Sequence, residues 1–184
     1  MNTPRSEQLL RGLSPERASV MSVGIEVWHS VTQFLGVEAL ALDTRDWKRW
    51  LSLYTLDCTY WLPAWRADGE LVENPKTELS LIYYNSRVGL EGRVFRIGTK
   101  RAASAQLLPR TLHMLNPVAI ERSEQGLRLR THWTVHSNYE TRVASHFGYA
   151  EYELVADGES WLIRSKKTVL LNDRVHEVLD FYNV

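Results

Sequence analysis

Residues 126–139 alternate with a period of two. Leu127, Leu129, Thr131, Trp133 and Val135 fall on one face; Arg128, Arg130, His132, Thr134 and His136 fall on the other. That pattern marks a strand with one buried face, and such a strand needs partners on both edges and a layer beneath it. The partners are nearby. Residues 110–122, 144–156 and 160–171 also read as extended segments, and Gln125-Gly126 and Asp157-Gly158 are hairpin-type turn signals between them. The first half has a different period. From Val23 to Leu42 the apolar residues Trp28, Val31, Leu35 and Leu42, with Phe34 beside them, recur at helical spacing. Asp43 and Asp46 precede Trp47, Trp50, Leu51 and Tyr54, an arrangement that resembles a capped second helix with acids at the positive end of its dipole. Cys58 to Trp61 reads as a short strand stopped by Pro63, and residues 66–78 as a polar loop whose acids (Asp68, Glu70, Glu73, Glu78) meet solvent. Leu79, Ile82, Leu90, Val94 and Ile97 mark a third helical stripe, with a break or a close packing contact expected near Gly89. Helices first and a meander second make an α+β domain, helices packed on one face of a curved antiparallel sheet.

Length and charge bound the rest. At 184 residues the chain reads as one domain over residues 23–184, preceded by a polar arm at residues 1–22. The arm carries Arg5, Arg11 and Arg17 and no apolar run of the secretory kind. Twenty-two bases balance twenty-two acids, so no basic excess points to nucleic acid or to an anionic membrane face. No apolar run approaches the roughly 18 residues of a membrane span. The single cysteine, Cys58, excludes an internal disulfide framework and fits a reducing cytoplasm.

His132 and His136 would share one face of a helix, but on a strand their Cα atoms lie roughly 13 Å apart, too far for one ion. An iron–sulfur cluster needs several cysteines, or two with two histidines, and the chain has one. Cys58 lies beside Asp57 at the start of an aromatic strand, a setting that raises rather than lowers a thiol pKa. No Gly-x-Ser-x-Gly elbow, phosphate loop or dinucleotide fingerprint is present. Acid–base chemistry stays open. Asp57, Tyr60 and His113 lie close to predicted strands and could converge in an apolar pocket with shifted pKa values; Asp57 reads equally as a turn residue and His113 as a hydrogen-bonded sheet residue.

Four segments carry a resemblance. They are Asp46-Trp47-Lys48-Arg49-Trp50-Leu51-Ser52-Leu53-Tyr54 running on through Asp57-Cys58-Thr59-Tyr60-Trp61-Leu62-Pro63-Ala64-Trp65; Glu78-Leu79-Ser80-Leu81-Ile82-Tyr83-Tyr84 with Arg93-Val94-Phe95-Arg96-Ile97; Pro109-Arg110-Thr111-Leu112-His113 with Asn116-Pro117-Val118; and Asn172-Asp173-Arg174-Val175-His176-Glu177-Val178-Leu179-Asp180-Phe181-Tyr182. In this order, over about residues 25–183, they resemble the small (beta) subunit of bacterial aromatic-ring-hydroxylating, Rieske non-heme iron dioxygenases. The runs at 60–65 and 81–84 look most like the benzoate and anthranilate branch; His176 departs from the family pattern. The resemblance implies a cone-shaped fold like that of nuclear transport factor 2 (NTF2) and ketosteroid isomerase. It also implies a larger alpha subunit as partner, commonly three of each. That partner would hold the Rieske 2Fe-2S cluster and a mononuclear non-heme iron, and a separate reductase would draw on NADH. It assigns no catalytic, cofactor-binding or metal residue to this chain, and none in the chain itself is expected. The sheet face with Arg128, Arg130, His132 and His136 meets either water or a complementary chain; if a partner, the expected interface joins it to Asp173, Arg174, Asp180 and Tyr182 of the C-terminal phrase. Two other readings stay beside it: a self-contained isomerase or dehydratase using Asp57, Tyr60 or His113, and a small-aromatic binding module.

Overall fold

A computed structural model describes residues 23–99 and 108–184; the arm expected at residues 1–22 lies outside the described residues. The chain runs through α1 (Ile25–Asp43), α2 (Trp47–Ser52), β1 (Tyr54–Pro63), β2 (Ser80–Tyr84) and α3 (Arg87–Gly98). The meander follows as β3 (Arg110–Ser123), β4 (Gly126–Tyr139), β5 (Arg142–Asp157) and β6 (Ser160–Leu170). One six-stranded sheet has the order β2-β1-β6-β5-β4-β3. Its pairs are antiparallel except β1 with β6, which are parallel; so much chain separates these two strands that a crossover connection is free to form. Register shifts at Leu62/Pro63, Pro117/Ala119 and Glu153/Leu154 interrupt the ladders, and such irregularities bend and twist strands. The result is the curved sheet with helices on its concave side that the α+β reading expects.

Local chemistry explains the boundaries. The Asp46 side chain accepts from the Arg49 backbone N–H at 3.0 Å and caps α2. Asp43 has a different task, described below, so only one of the two acids expected at this cap serves it. The turns at 124–125 and 158–159 are those marked by glycine: Gly126 has φ 150° and Gly158 φ 60°, backbone that other residues resist. The third helical stripe is corrected. Leu79 precedes a strand and Ile82 lies in it, paired with Leu62; the helix starts only at Arg87. Pairing with the edge of β1 satisfies backbone groups at 80–84 that a helix would also satisfy, and it adds a tertiary contact, so periodicity lost to tertiary context. The contact expected near Gly89 is real: a Cβ there would lie 2.8 Å from Cδ1 of Tyr84. Residues 66–78 are less loose than a solvated loop. Glu78 accepts from the backbone N–H groups of Glu73 and Asn74 and pairs with Arg66.

The inward face of the sheet is built in rows across the strands. One row is Leu115, Trp133, Gly148 and Leu170; the next is Thr131, Ala150 and Thr168; the next is Leu129, Tyr152, Lys166 and Tyr60. Gly148 is required where it is. A Cβ there would meet the Val169 carbonyl oxygen at 1.9 Å and the Trp133 ring at 3.3 Å. Against these rows pack Val31, Phe34, Leu35 and Leu42 of α1 and Trp50 of α2; Trp28, expected in the stripe, sits at its exposed margin. The segment after β6 has no regular structure yet closes the core. Phe181 stacks on Trp50 at 4.3 Å with planes 12° apart, and Trp47 meets its edge at 5.4 Å.

Candidate functional site

The interior of the cone holds two polar groups that the hydrophobic pattern does not announce. Glu38 lies on the inward side of α1, three residues after Leu35 and four before Leu42, and is fully buried. Lys166 of β6 brings its Nζ within 2.8 Å of Glu38 Oε1; the Tyr54 hydroxyl donates to the same oxygen at 2.9 Å, and the Tyr152 hydroxyl donates to Oε2 at 3.0 Å. Every lone-pair direction of a buried carboxylate costs free energy unless it is met, and here donors from three strands converge on an acceptor held by the helix. Burial, reinforced by the Glu38 carboxylate, pushes the Tyr54, Tyr60 and Tyr152 phenols far above their ordinary range. Lys166 Nζ also lies 5.2 Å from the Tyr152 ring centroid, where a cation is attracted to the π face.

The second group joins α1 to β3. His113 Nδ1 lies 2.6 Å from Asp43 Oδ1, the His113 backbone N–H donates to Oδ2 at 3.0 Å, and the Thr111 hydroxyl donates to Oδ1 at 3.0 Å. Burial raises the Asp43 carboxyl, but the hydrogen bonds from His113 outweigh it and leave the group below its ordinary value. With Nδ1 turned to a carboxylate, Nε2 points into the cone, buried and without a protein partner.

These facts decide among the acid–base candidates. Asp57 is exposed on β1, Tyr60 is buried in the aromatic cluster of Trp50 and Tyr54, and His113 is held by Asp43 in the interior; Asp57, outside, does not converge with the other two. What space remains beside His113, Trp133, Thr168 and Val184 is a cavity of about 10 Å³, room for a single water and far below the ~300 Å³ that a small-molecule site needs. Cys58 is wholly buried, and burial pushes its thiol up to about 11, as its apolar strand suggested. His132 and His136 point outward from β4 and are exposed. Among the described residues no three His, Cys, Asp or Glu side chains form a group that could hold a metal ion, so the residues present do not fit an iron or iron–sulfur centre.

The interface set divides. Arg128, His132, His136, Asp173 and Arg174 are exposed. Three others are buried against residues of this chain itself. Arg130 lies folded under the Tyr149 ring, its guanidinium carbon 3.9 Å from the centroid. Asp180 receives Arg93 Nε at 2.9 Å and is buried. Tyr182 packs edge-on against Phe181 at 5.7 Å. Asp180 and Tyr182 share a reason: the C-terminal segment supplies the end wall of the core, and residues 180–184 are all buried in it. Sequence reasoning missed Leu112, Met114 and Phe147, apolar residues exposed on the outward face of β3 and β5. Register places them in adjoining rows, Met114 beside Thr134 beside Phe147 and Leu112 beside His136. The signal was present in the alternation of β3, where Leu112, Met114 and Val118 fall opposite His113 and Leu115.

Comparison with known proteins agrees with this geometry. The sequence family described as ring hydroxylating beta subunit matches residues 37–177. The chain is 40% identical over 156 residues to the benzoate 1,2-dioxygenase subunit beta of Acinetobacter baylyi, covering 84% of this chain and 92% of that one. It is 40% identical over 163 residues to the anthranilate 1,2-dioxygenase small subunit of the same organism, covering 88% of this chain and 100% of that one. The crystal structure of the benzoate 1,2-dioxygenase beta subunit from Burkholderia mallei superposes with a TM-score of 0.70 at 32% identity, over 89% of this chain and 99% of that one. The cone is thus an NTF2-like one, and the chain belongs to the ring-hydroxylating beta-subunit family.

Proposed function

We propose that this chain is the structural small subunit of a multicomponent dioxygenase that adds O2 to an aromatic carboxylate, working in the cytoplasm of a bacterium. The observation that carries the reading is the family match together with relatives whose names are those of benzoate and anthranilate dioxygenase small subunits. The site geometry supports it from the other side. Beside His113 the described residues leave a cavity of only about 10 Å³, and among them the donors of a metal centre do not converge. Chemistry on the ring then belongs to a larger alpha subunit carrying a Rieske 2Fe-2S cluster and a mononuclear iron. Three copies of each chain would assemble, and a reductase would deliver electrons from NADH. No described helix is long and apolar enough to cross a membrane.

The surface that would meet the alpha subunit joins the outward face of β3–β5 to the segment after β6. Asn172 ties the two together: its Nδ2 donates to the Ser145 carbonyl at 2.9 Å and its Oδ1 accepts from the Phe147 N–H at 3.0 Å. Phe147, Met114 and Leu112 supply an apolar centre, and His132, His136, Arg128, Asp173 and Arg174 a polar margin, the anatomy of a protein interface. The test is co-expression with the larger chain. A brown complex that co-elutes supports the reading, and Phe147→Asp or Arg174→Glu should weaken co-elution while the far-UV dichroism of the chain is retained. A lone chain that hydroxylates an arene unaided would overturn it. A truncation after Leu171 is a poor probe, because it removes Phe181, Tyr182 and Val184 from the core.

A further inference from the structure

We infer that the closed end of the cone is a binding site for one ordered water molecule, held at the head of the Asp43–His113 pair and sealed by Val184. Three observations converge. The cavity of about 10 Å³ is lined by His113, Trp133, Thr168 and Val184, with Leu42 and Leu115 among its apolar walls; that volume matches a single water. Three of the lining side chains bring a buried polar atom: His113 Nε2 and Trp133 Nε1 have no protein partner, and the Thr168 hydroxyl lies beside that of Tyr60. They come from three different strands, β3, β4 and β6. The side chain of His113 is 2% exposed, so bulk solvent does not meet Nε2.

The donor and acceptor inventory is complementary. Asp43 accepts at His113 Nδ1, so Nε2 is left to the interior, an acceptor in an uncharged ring and a donor in a charged one. Trp133 Nε1–H can only donate, and the Thr168 hydroxyl can do either. A water, which can donate or accept, meets His113 Nε2 in either form, accepts from Trp133 and uses a remaining proton or lone pair on Thr168. Two to four such partners are what a buried water requires, whereas a purely apolar void of this size stays dry. The water would tie α1, through Asp43 and His113, to β4, and would add to the hold that Glu38 already has on β6 through Lys166. It also sets the ligand class: a water-sized hydrogen-bonding molecule is accepted, an aromatic ring is not.

The experiment is a high-resolution crystal structure of the complex or of the chain, with a small-aromatic control. We expect a single ordered density peak at about 2.7–3.2 Å from His113 Nε2. It should be lost in Thr168→Val and in His113→Phe; if the latter fails to fold, Trp133→Phe replaces it. We expect phenol at millimolar concentration to leave the midpoint of thermal unfolding unchanged. A map that orders other internal waters and shows none at Nε2 overturns the inference, as does a peak that persists unchanged in Thr168→Val and Trp133→Phe. Density for phenol in the cone, or a phenol-dependent rise in the unfolding midpoint abolished by Val184→Phe, overturns it as well.

Discussion

Replacing Lys166 with Met separates the polar centre of the cone from the apolar packing around it. Met keeps the length of the side chain and removes the charge. Glu38 is 0% exposed and keeps the hydroxyls of Tyr54 and Tyr152 at 2.9 and 3.0 Å, but it loses the ammonium at 2.8 Å. Breaking a buried ion pair by removing one partner costs about 3–5 kcal/mol, because a charge is left uncompensated in a low dielectric. The phenols soften this, so about 3 kcal/mol is expected. At about 2–4 °C per kcal/mol for a chain of this size, the midpoint of thermal unfolding should fall by about 6–12 °C. Removing the pair entirely has a different outcome. Glu38→Leu with Lys166→Met leaves two buried hydroxyls without an acceptor, at about 1–3 kcal/mol each, so the double variant should be no better than the single one. Adding Tyr54→Phe and Tyr152→Phe removes those hydroxyls, and an apolar replacement of a buried pair is often neutral or stabilising. The quadruple variant should therefore recover most of the loss. Thermal and urea unfolding followed by circular dichroism read all three. A single variant within about 0.5 kcal/mol of the wild type, the scatter of ordinary surface substitutions, would refute the reasoning, as would a quadruple variant less stable than the double.

Alkaline pH tests the same cluster. Tyr54, Tyr60 and Tyr152 are raised far above 10.0, and Cys58 from 9.0 to about 11. The native state keeps protons that the unfolded chain releases, so stability is full below about pH 9 and falls as pH rises. Each held phenol contributes a slope of about 1.4 kcal/mol per pH unit above pH 10. The urea midpoint should stay level from pH 7 to 9 and drop steeply above 10, less steeply in Tyr54→Phe; a level midpoint to pH 11 would contradict the burial of these groups. Gly148→Ala should destabilise by about 1–3 kcal/mol, the range for overpacking a closed core, because its Cβ meets the Val169 carbonyl between paired strands; urea unfolding measures it, and an unchanged midpoint would show that β5 and β6 give way freely.

How much of this was legible in the sequence follows from how far each signal reaches. Alternation at 126–139, the turn glycines Gly126 and Gly158 and the apolar spacing of Val31, Leu35 and Leu42 are local, and they determined the order of helices and strands. Four motifs in register determined the family, since they record what the chain packs against rather than any one interaction. Tertiary structure decided the rest. Leu79 and Ile82 look helical by spacing, but the edge of β1 claims Ser80–Tyr84 for a strand. Asp180 and Tyr182 read as polar hooks for a partner, yet Arg93 and Phe181 hold them inside. Glu38 and Lys166 are 128 residues apart and each reads as a surface charge; only a sheet that curls toward α1 brings them within hydrogen-bonding distance, because periodicity says which way a side chain points and not what waits there.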